Sequence, residues 1–220
     1  MTDKIKLQII SDIACPWCII GYKRLAKAIS EMGIHDKVEI EWQPFELNPN
    51  MPVEGEEINA HLAKKYGMTV DDSRHTLAQM TAHGAELGFA FDFFDGFKMV
   101  NTRNLHIALD YAKKSGKQTE LKMRLFTAFF SEQKDVSDQQ IFAQELQHVG
   151  IDASDVLTRV KDDTVRNQIQ DQESYWRNIG VTAVPTMIFN NASSLVGAQP
   201  VDTYKQVLAE LLEQQQQIAG

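Results

Sequence analysis

The sequence predicts an α/β fold in which a small mixed sheet of about four strands is interrupted by a large all-helical insertion. Three observations carry this reading. Runs rich in Ile, Val, Trp and Phe mark strands near the two ends of the chain. All six prolines also lie towards the ends, at Pro16, Pro44, Pro49, Pro52, Pro185 and Pro200, which leaves a middle free of the residue that breaks helices. A strand, helix and strand occupy about 40 residues near the N-terminus, the length of one βαβ unit with parallel strands and a right-handed crossover.

Each element follows in order. Lys4 to Ile10 forms the first strand, Trp17 to Met32 has helical spacing and closes at Gly33, and Lys37 to Phe45 forms the second strand. From about residue 57 to 179, apolar residues recur at helical spacing, with Gly67, Gly88, Gly116, Gly150 and Gly180 where helix C-caps belong. Thr69 to Asp72 and Ser137 to Gln140 each have the capping-box spacing. Leu105, Ile107, Ala108, Leu109 and Ala112, then Leu121, Met123, Leu125, Phe126, Phe129 and Phe130, describe two amphipathic helices hinged at Gly116. Thr186 to Phe189 and Ala192 to Val196 read as a hairpin turning at Asn190 and Asn191, residues that tolerate positive φ. Val201 to Gln217 supplies a closing helix. The sheet-bearing unit is thus expected at 1–55 and 180–220, and the insertion at 56–179.

The chain has 220 residues, with 22 Lys and Arg against 30 Asp and Glu, for a net charge of -8. Without a basic surplus, neither nucleic acid nor an anionic membrane surface is the expected partner. No apolar run reaches the length of a membrane span, and the N-terminal stretch lacks a signal-peptide core, so a cytoplasmic location is expected. In a reducing compartment two cysteines are not there as a structural staple.

Those cysteines fall together, as Cys15-Pro16-Trp17-Cys18, between the first strand and the first helix. Pro16 suits the first helical position, and unpaired N–H groups there favour a thiolate on Cys15. One turn later, Cys18 comes within disulfide reach and suits the resolving role. Half a zinc site would need two more ligands, and the six histidines contain no close pair at ligand spacing. Two inert buried thiols are the other bland reading. The spacing favours a redox dithiol and no metal.

With Val184-Pro185-Thr186 opening the hairpin, this order of elements resembles the thioredoxin fold. The phrases Ser11 to Cys18, Asn101-Thr102 followed by His106, and Val196-Gly197-Ala198-Gln199-Pro200 resemble the cytoplasmic, FrnE-like branch of the DsbA family over essentially the whole chain. Relatives of that branch include 2-hydroxychromene-2-carboxylate isomerases and kappa-class glutathione transferases. The resemblance implies thiol–disulfide exchange, with Cys15 attacking and Cys18 resolving. It implies a cis bond before Pro185, facing the thiols and leaving Val184 to pair with substrate. Pro16, Trp17, Val184, Pro185 and His106 form the implied substrate-binding set, with Trp17 as an apolar rim. Against that, a helical histidine is more often an ordinary surface or core residue, and His106 also reads as one. Asp12 is placed either to accept the thiol proton or to cap the strand-to-helix turn, and its charge would raise the Cys15 pKa. Phe89, Phe91, Phe93, Phe94 and Phe97 either line the substrate cleft or pack the insertion against the sheet.

The isomerase and transferase relatives usually carry Ser at the position of Cys15, so two cysteines favour redox work. Trp17 cannot donate a charged hydrogen bond to the thiolate, so the couple is expected to be less oxidising than that of periplasmic relatives. No tightly bound cofactor is expected; glutathione is admitted as a co-substrate. Expected partners are a disulfide- or dithiol-bearing protein or small molecule and an unidentified recycling partner, and exposed helical faces permit a homodimer. The competing readings are a glutathione-dependent isomerase or transferase acting on a small aromatic substrate, and a non-catalytic holdase.

Overall fold

The structure is a computed structural model that describes residues 4–219. Strand β1 (Ile5–Ser11) leads into helix α1 (Pro16–Met32), and β2 (Val38–Pro44) returns parallel to β1, pairing Ile5 with Val38 and Ser11 with Pro44. The chain comes back to the sheet at β5 (Thr186–Phe189), antiparallel to β1, and β6 (Ser193–Val196) closes the order β2-β1-β5-β6. Central β1 buries Ile5, Leu7, Ile9 and Ile10, as a strand flanked on both sides must. Asn190 and Asn191 turn the hairpin at φ 50° and 56°. α1 ends at Gly33 in the left-handed conformation, and the final helix, α9 (Val201–Ala219), packs along α1.

Between β2 and β5 lie α2 (Ile58–Tyr66), α3 (Val70–Glu86), α4 (Arg103–Lys113), α5 (Gln118–Phe130), α6 (Gln139–His148), α7 (Ala153–Arg159) and α8 (Asp163–Asn178). Three of these, α4, α5 and α8, pack against β2. One element goes beyond the all-helical expectation: β3 (Glu56–Glu57) and β4 (Lys98–Met99) form an antiparallel ladder of two residues each, too short to leave a period in the sequence. Thr69 and Asp72 form the expected capping box. The expected box at Ser137 is shifted: Asp138 caps α6 by accepting from the Gln140 and Ile141 N–H groups at 2.8 and 3.0 Å, while the Ser137 hydroxyl donates to Asp135. An Asp at the Ncap outcompetes the preceding serine because its carboxylate accepts two N–H groups at once.

The phenylalanine-rich connection divides its tasks. Phe89, Phe91 and Phe97 are buried, Phe91 stacks on Phe93 at 5.4 Å, and Phe97 meets Phe129 of α5 at 5.0 Å. The segment therefore glues α3 to α5 while leaving Phe93 and Phe94 partly exposed.

Candidate active site

Cys15 is the Ncap of α1 and Pro16 occupies its first turn, where a missing N–H leaves no helical hydrogen bond broken. Cys15 is 4% and Cys18 0% exposed, and both are free thiols. The Cys15 side chain makes no capping hydrogen bond with its own helix. Instead its Sγ donates to the Val184 carbonyl at 3.7 Å, immediately before the cis Val184–Pro185 bond.

That contact depends on a close approach. A Cβ on Gly21 of α1 would stand 3.0 Å from Cγ of Pro185 and 3.4 Å from Ala198, so a bare backbone is what lets the helix lie against the proline loop. Arg24 donates to the Ala198 carbonyl at 2.8 Å, and the Gly197 N–H to the Pro185 carbonyl at 2.7 Å.

Asp12 lies fully buried under the turn. Its Oδ1 accepts from the Ala14 N–H at 3.3 Å and its Oδ2 from the Leu47 N–H at 2.8 Å, so it ties the cysteine turn to the segment after β2. His106 Nε2 stands 3.4 Å from Asp12 Oδ1. Burial works against an Asp12 charge, yet His106, the Leu47 N–H and Lys122 together hold its pKa below the ordinary value.

The two thiols titrate as a pair. Donating a hydrogen bond to Cys18 pushes the Cys15 pKa well up, and burial and the Asp12 charge add to this. For Cys18, burial opposes ionisation, but the hydrogen bond from Cys15, the neighbouring Ser11 hydroxyl and the field of Lys122 bring the pKa down. The helix terminus favours a thiolate on Cys15, and in this resting geometry burial and the Asp12 charge oppose it.

Over the dithiol opens an apolar cleft of about 320 Å³. Cys15, Pro16, Trp17, Leu62, Met80 and Phe93 are among its walls, with Lys65 and Tyr66 at its edge. Lys65 is held by the Leu47 carbonyl at 3.1 Å and Asn48 Oδ1 at 2.7 Å. The structure thus brings Asp12, Cys15, Pro16, Trp17, Cys18, Val184 and Pro185 together, and Phe93 into the cleft. His106 is not among the cleft-lining residues; it stands behind Asp12 and borders a separate cavity beside β2 with Gln43 and Asp110. Sequence reasoning missed two contributors. Leu47 acts through its backbone and leaves no compositional signal. Lys122, 0% exposed on α5, left one: it lies four residues before Phe126, on the face that packs inward.

Among the described residues, no group of three or more His, Cys, Asp or Glu is arranged to hold a metal ion, and no helix is long and apolar enough to cross a membrane.

Comparison with known proteins agrees with this fold. Residues 6–209 match the model of the DSBA-like thioredoxin domain. A crystal structure of a probable DsbA oxidoreductase from Streptomyces coelicolor superposes with a TM-score of 0.87 at 28% identity, covering 94% of this chain and 89% of that one. A 2-hydroxychromene-2-carboxylate isomerase shares the fold at TM-score 0.73 and 14% identity, covering 98% of this chain and 100% of that one. So does the cytosolic disulfide reductase DsbM from Pseudomonas aeruginosa, solved with glutathione, at 0.62 and 17%, covering 94% and 99%.

Proposed function

Because the chain belongs to the DSBA-like thioredoxin domain family, we propose that it is a thiol–disulfide oxidoreductase acting through a mixed disulfide at Cys15 that Cys18 resolves. The single observation that carries this reading is the Cys15 thiol at the head of α1, facing the Val184 carbonyl beside the cis proline. An extended substrate that pairs with Val184 brings its disulfide to that sulfur.

In the reducing direction, Cys15 gives up its proton and as a thiolate attacks the nearer substrate sulfur, the proton passing to the thiolate that leaves. The substrate S–S bond breaks, one thiolate leaves, and the other sulfur remains bonded to Cys15. Cys18 then gives up its proton and attacks the Cys15 sulfur, and the second thiolate, expelled as the Cys15–Cys18 disulfide forms, takes up that proton. The reverse sequence oxidises a dithiol. Asp12 is poorly suited to accept the thiol proton, since two backbone N–H groups and His106 hold it charged; its role is to cap the turn. The apolar cleft favours a substrate, protein or small molecule, whose sulfur is flanked by an uncharged apolar group. We place the reaction in the cytoplasm with glutathione as a co-substrate, in keeping with the cytosolic reductase that shares the fold.

The test is a pair of variants. Cys15→Ser is expected to abolish exchange, and Cys18→Ser to accumulate a mixed disulfide that mass spectrometry detects. A Cys18→Ser protein that turns over a small aromatic substrate with glutathione at full rate would instead support the isomerase or transferase reading, which the apolar cleft also accommodates.

A further inference from the structure

The cleft over the dithiol holds a charge that the exchange steps do not use. Among the described residues its walls contain no Asp or Glu, and their basic side chains are His61 and Lys65. His61 is engaged, with Nδ1 2.7 Å from Glu56 Oε2. Lys65 pairs with no carboxylate among the described residues; its Nζ donates to two neutral acceptors, the Leu47 carbonyl and Asn48 Oδ1. The residue is exposed, and so open to a solute. In a chain of net charge -8, an uncompensated cation beside an apolar wall is a local exception to the field of the whole protein.

The position of that cation is fixed relative to the nucleophile. Leu47 gives its N–H to Asp12 Oδ2 at 2.8 Å and its carbonyl to Lys65 Nζ at 3.1 Å, so one residue ties the ammonium to the carboxylate that caps the cysteine turn. Two hydrogen bonds hold the end of a flexible stem. An ammonium has three N–H groups, which leaves one donor for a guest. Nζ also lies 5.6 Å from the centroid of the Tyr66 ring, 58% exposed at the cleft edge. Lys64 supplies the comparison. It stands in the same last turn of α2, where either lysine suits the helix C-terminus, but it pairs with Glu56 at 3.1 Å and is not among the cleft-lining residues.

We propose that Lys65 sets substrate specificity: the cleft takes a small disulfide in which an apolar body separates the reacting sulfur from a carboxylate, and Lys65 binds that carboxylate. The cavity of about 320 Å³ lies at the small end of ligand pockets, enough for one ring and a short chain. The apolar body displaces water from the walls formed by Trp17, Met80 and Phe93, which strengthens the charge-assisted hydrogen bond at the edge. A disulfide with a cationic group in that place meets Lys65 with like charge, and a neutral one leaves the ammonium to water. The exchange chemistry is the one already described. Cys15 bonds to one substrate sulfur, the S–S bond breaks, Cys18 completes the protein disulfide, and two electrons and two thiol protons pass to the two product thiols. Lys65 holds the far end of the guest and takes no part in that transfer.

This inference rests on the dithiol reading, and the experiment separates the two. Reduced protein is mixed by stopped flow with excess dithiobis(nitrobenzoate) or with its neutral amide, dithiobis(nitrobenzamide), and the coloured thiol released is followed against disulfide concentration. The wild type is expected to half-saturate with the carboxylate at about ten-fold lower concentration than with the amide, the weight of one charge-assisted hydrogen bond. Added salt should shrink that preference. Lys64→Gln is expected to keep it and Lys65→Gln to lose it. A wild type without the preference overturns the proposal, as does a Lys65→Gln protein that keeps it, or a Lys64→Gln protein that loses it as fully. If Lys65→Gln does not fold, inhibition of the wild-type reaction with the amide decides: phenylbutyrate is expected to inhibit about ten-fold better than phenylbutyramide, and equal inhibition overturns the proposal. A wild type that releases no thiol from either disulfide refutes the dithiol reading itself. Calorimetric binding of phenylbutyrate against phenylbutyramide then tests the anion site alone, and equal affinities overturn it.

Discussion

Asp12 shows how much one buried carboxylate organises. It accepts the Ala14 and Leu47 N–H groups, and its charge is among the causes that raise the Cys15 pKa. Asp12→Asn replaces one acceptor oxygen with a donor, leaving an N–H unpaired. The expected loss is about 1–3 kcal/mol in chemical denaturation at neutral pH, together with a lower Cys15 pKa by thiol alkylation. The pH dependence has a definite sign. Because the folded pKa of Asp12 lies below its unfolded value, its contribution is complete above about pH 4 and disappears as acid protonates the folded carboxylate. The variant should therefore lose less stability than the wild type as pH falls below about 4, read by chemical denaturation at a series of pH values. At this scale the cysteine pair was legible because its spacing and flanking elements are local. Lys122 was not recognised because a lysine between Leu121 and Met123 is read first as the polar side of an amphipathic helix, whereas packing against Trp42 turns it inward.

Among the elements, α8 carries the clearest titratable strain. Its Glu173 accepts from the Glu46 N–H at 3.1 Å, and Glu46 in turn receives Arg103 at 2.7 Å. Arg177, 3.8 Å from Glu173, lies over the Phe45 ring. Burial first and the Glu46 charge second raise the Glu173 pKa to about 8. A raised carboxyl holds its proton in the folded chain, so its contribution is whole below pH 4.5 and is lost as pH rises towards 8. Glu173→Gln is expected to raise the melting temperature by about 2–4 °C at pH 8 and to leave it unchanged at pH 4, read by scanning calorimetry. Element boundaries were largely legible: β1, α1, β2, the hairpin and α9 lie within a few residues of their expected limits, because strand composition, glycine stops and the Asn-Asn turn act locally. The β3–β4 ladder was not, since tertiary pairing alone makes two residues a strand.

Across the molecule, the site is assembled from segments about 170 residues apart in sequence, Cys15 meeting Val184. A motif predicts such a meeting only through a fold already in mind, and of the substrate cleft only the Trp17 rim and a phenylalanine wall were legible, because the rest needs α2 and α3 placed against α1. The two sides of that cleft differ in how they are built. On one, the bare Gly21, the Arg24 hydrogen bond to Ala198 and the Gly197 hydrogen bond to Pro185 lock α1 to the hairpin. On the other, α2 buries Ile58 and His61, and α3 buries Ser73 and Gly84, a thin anchorage for 26 helical residues. Amides of α2 and α3 are therefore expected to exchange with deuterium about ten-fold or more faster than those in the middle of α1, and mass-resolved exchange measures this directly. The cleft then works as a vice with one jaw bolted down. The jaw that carries the nucleophile and the proline keeps its aim whatever enters, and the opposite jaw sets how wide a guest is admitted. The clearance at Gly21 is the bolt: a methyl group there would loosen the aiming jaw while leaving the adjustable one untouched.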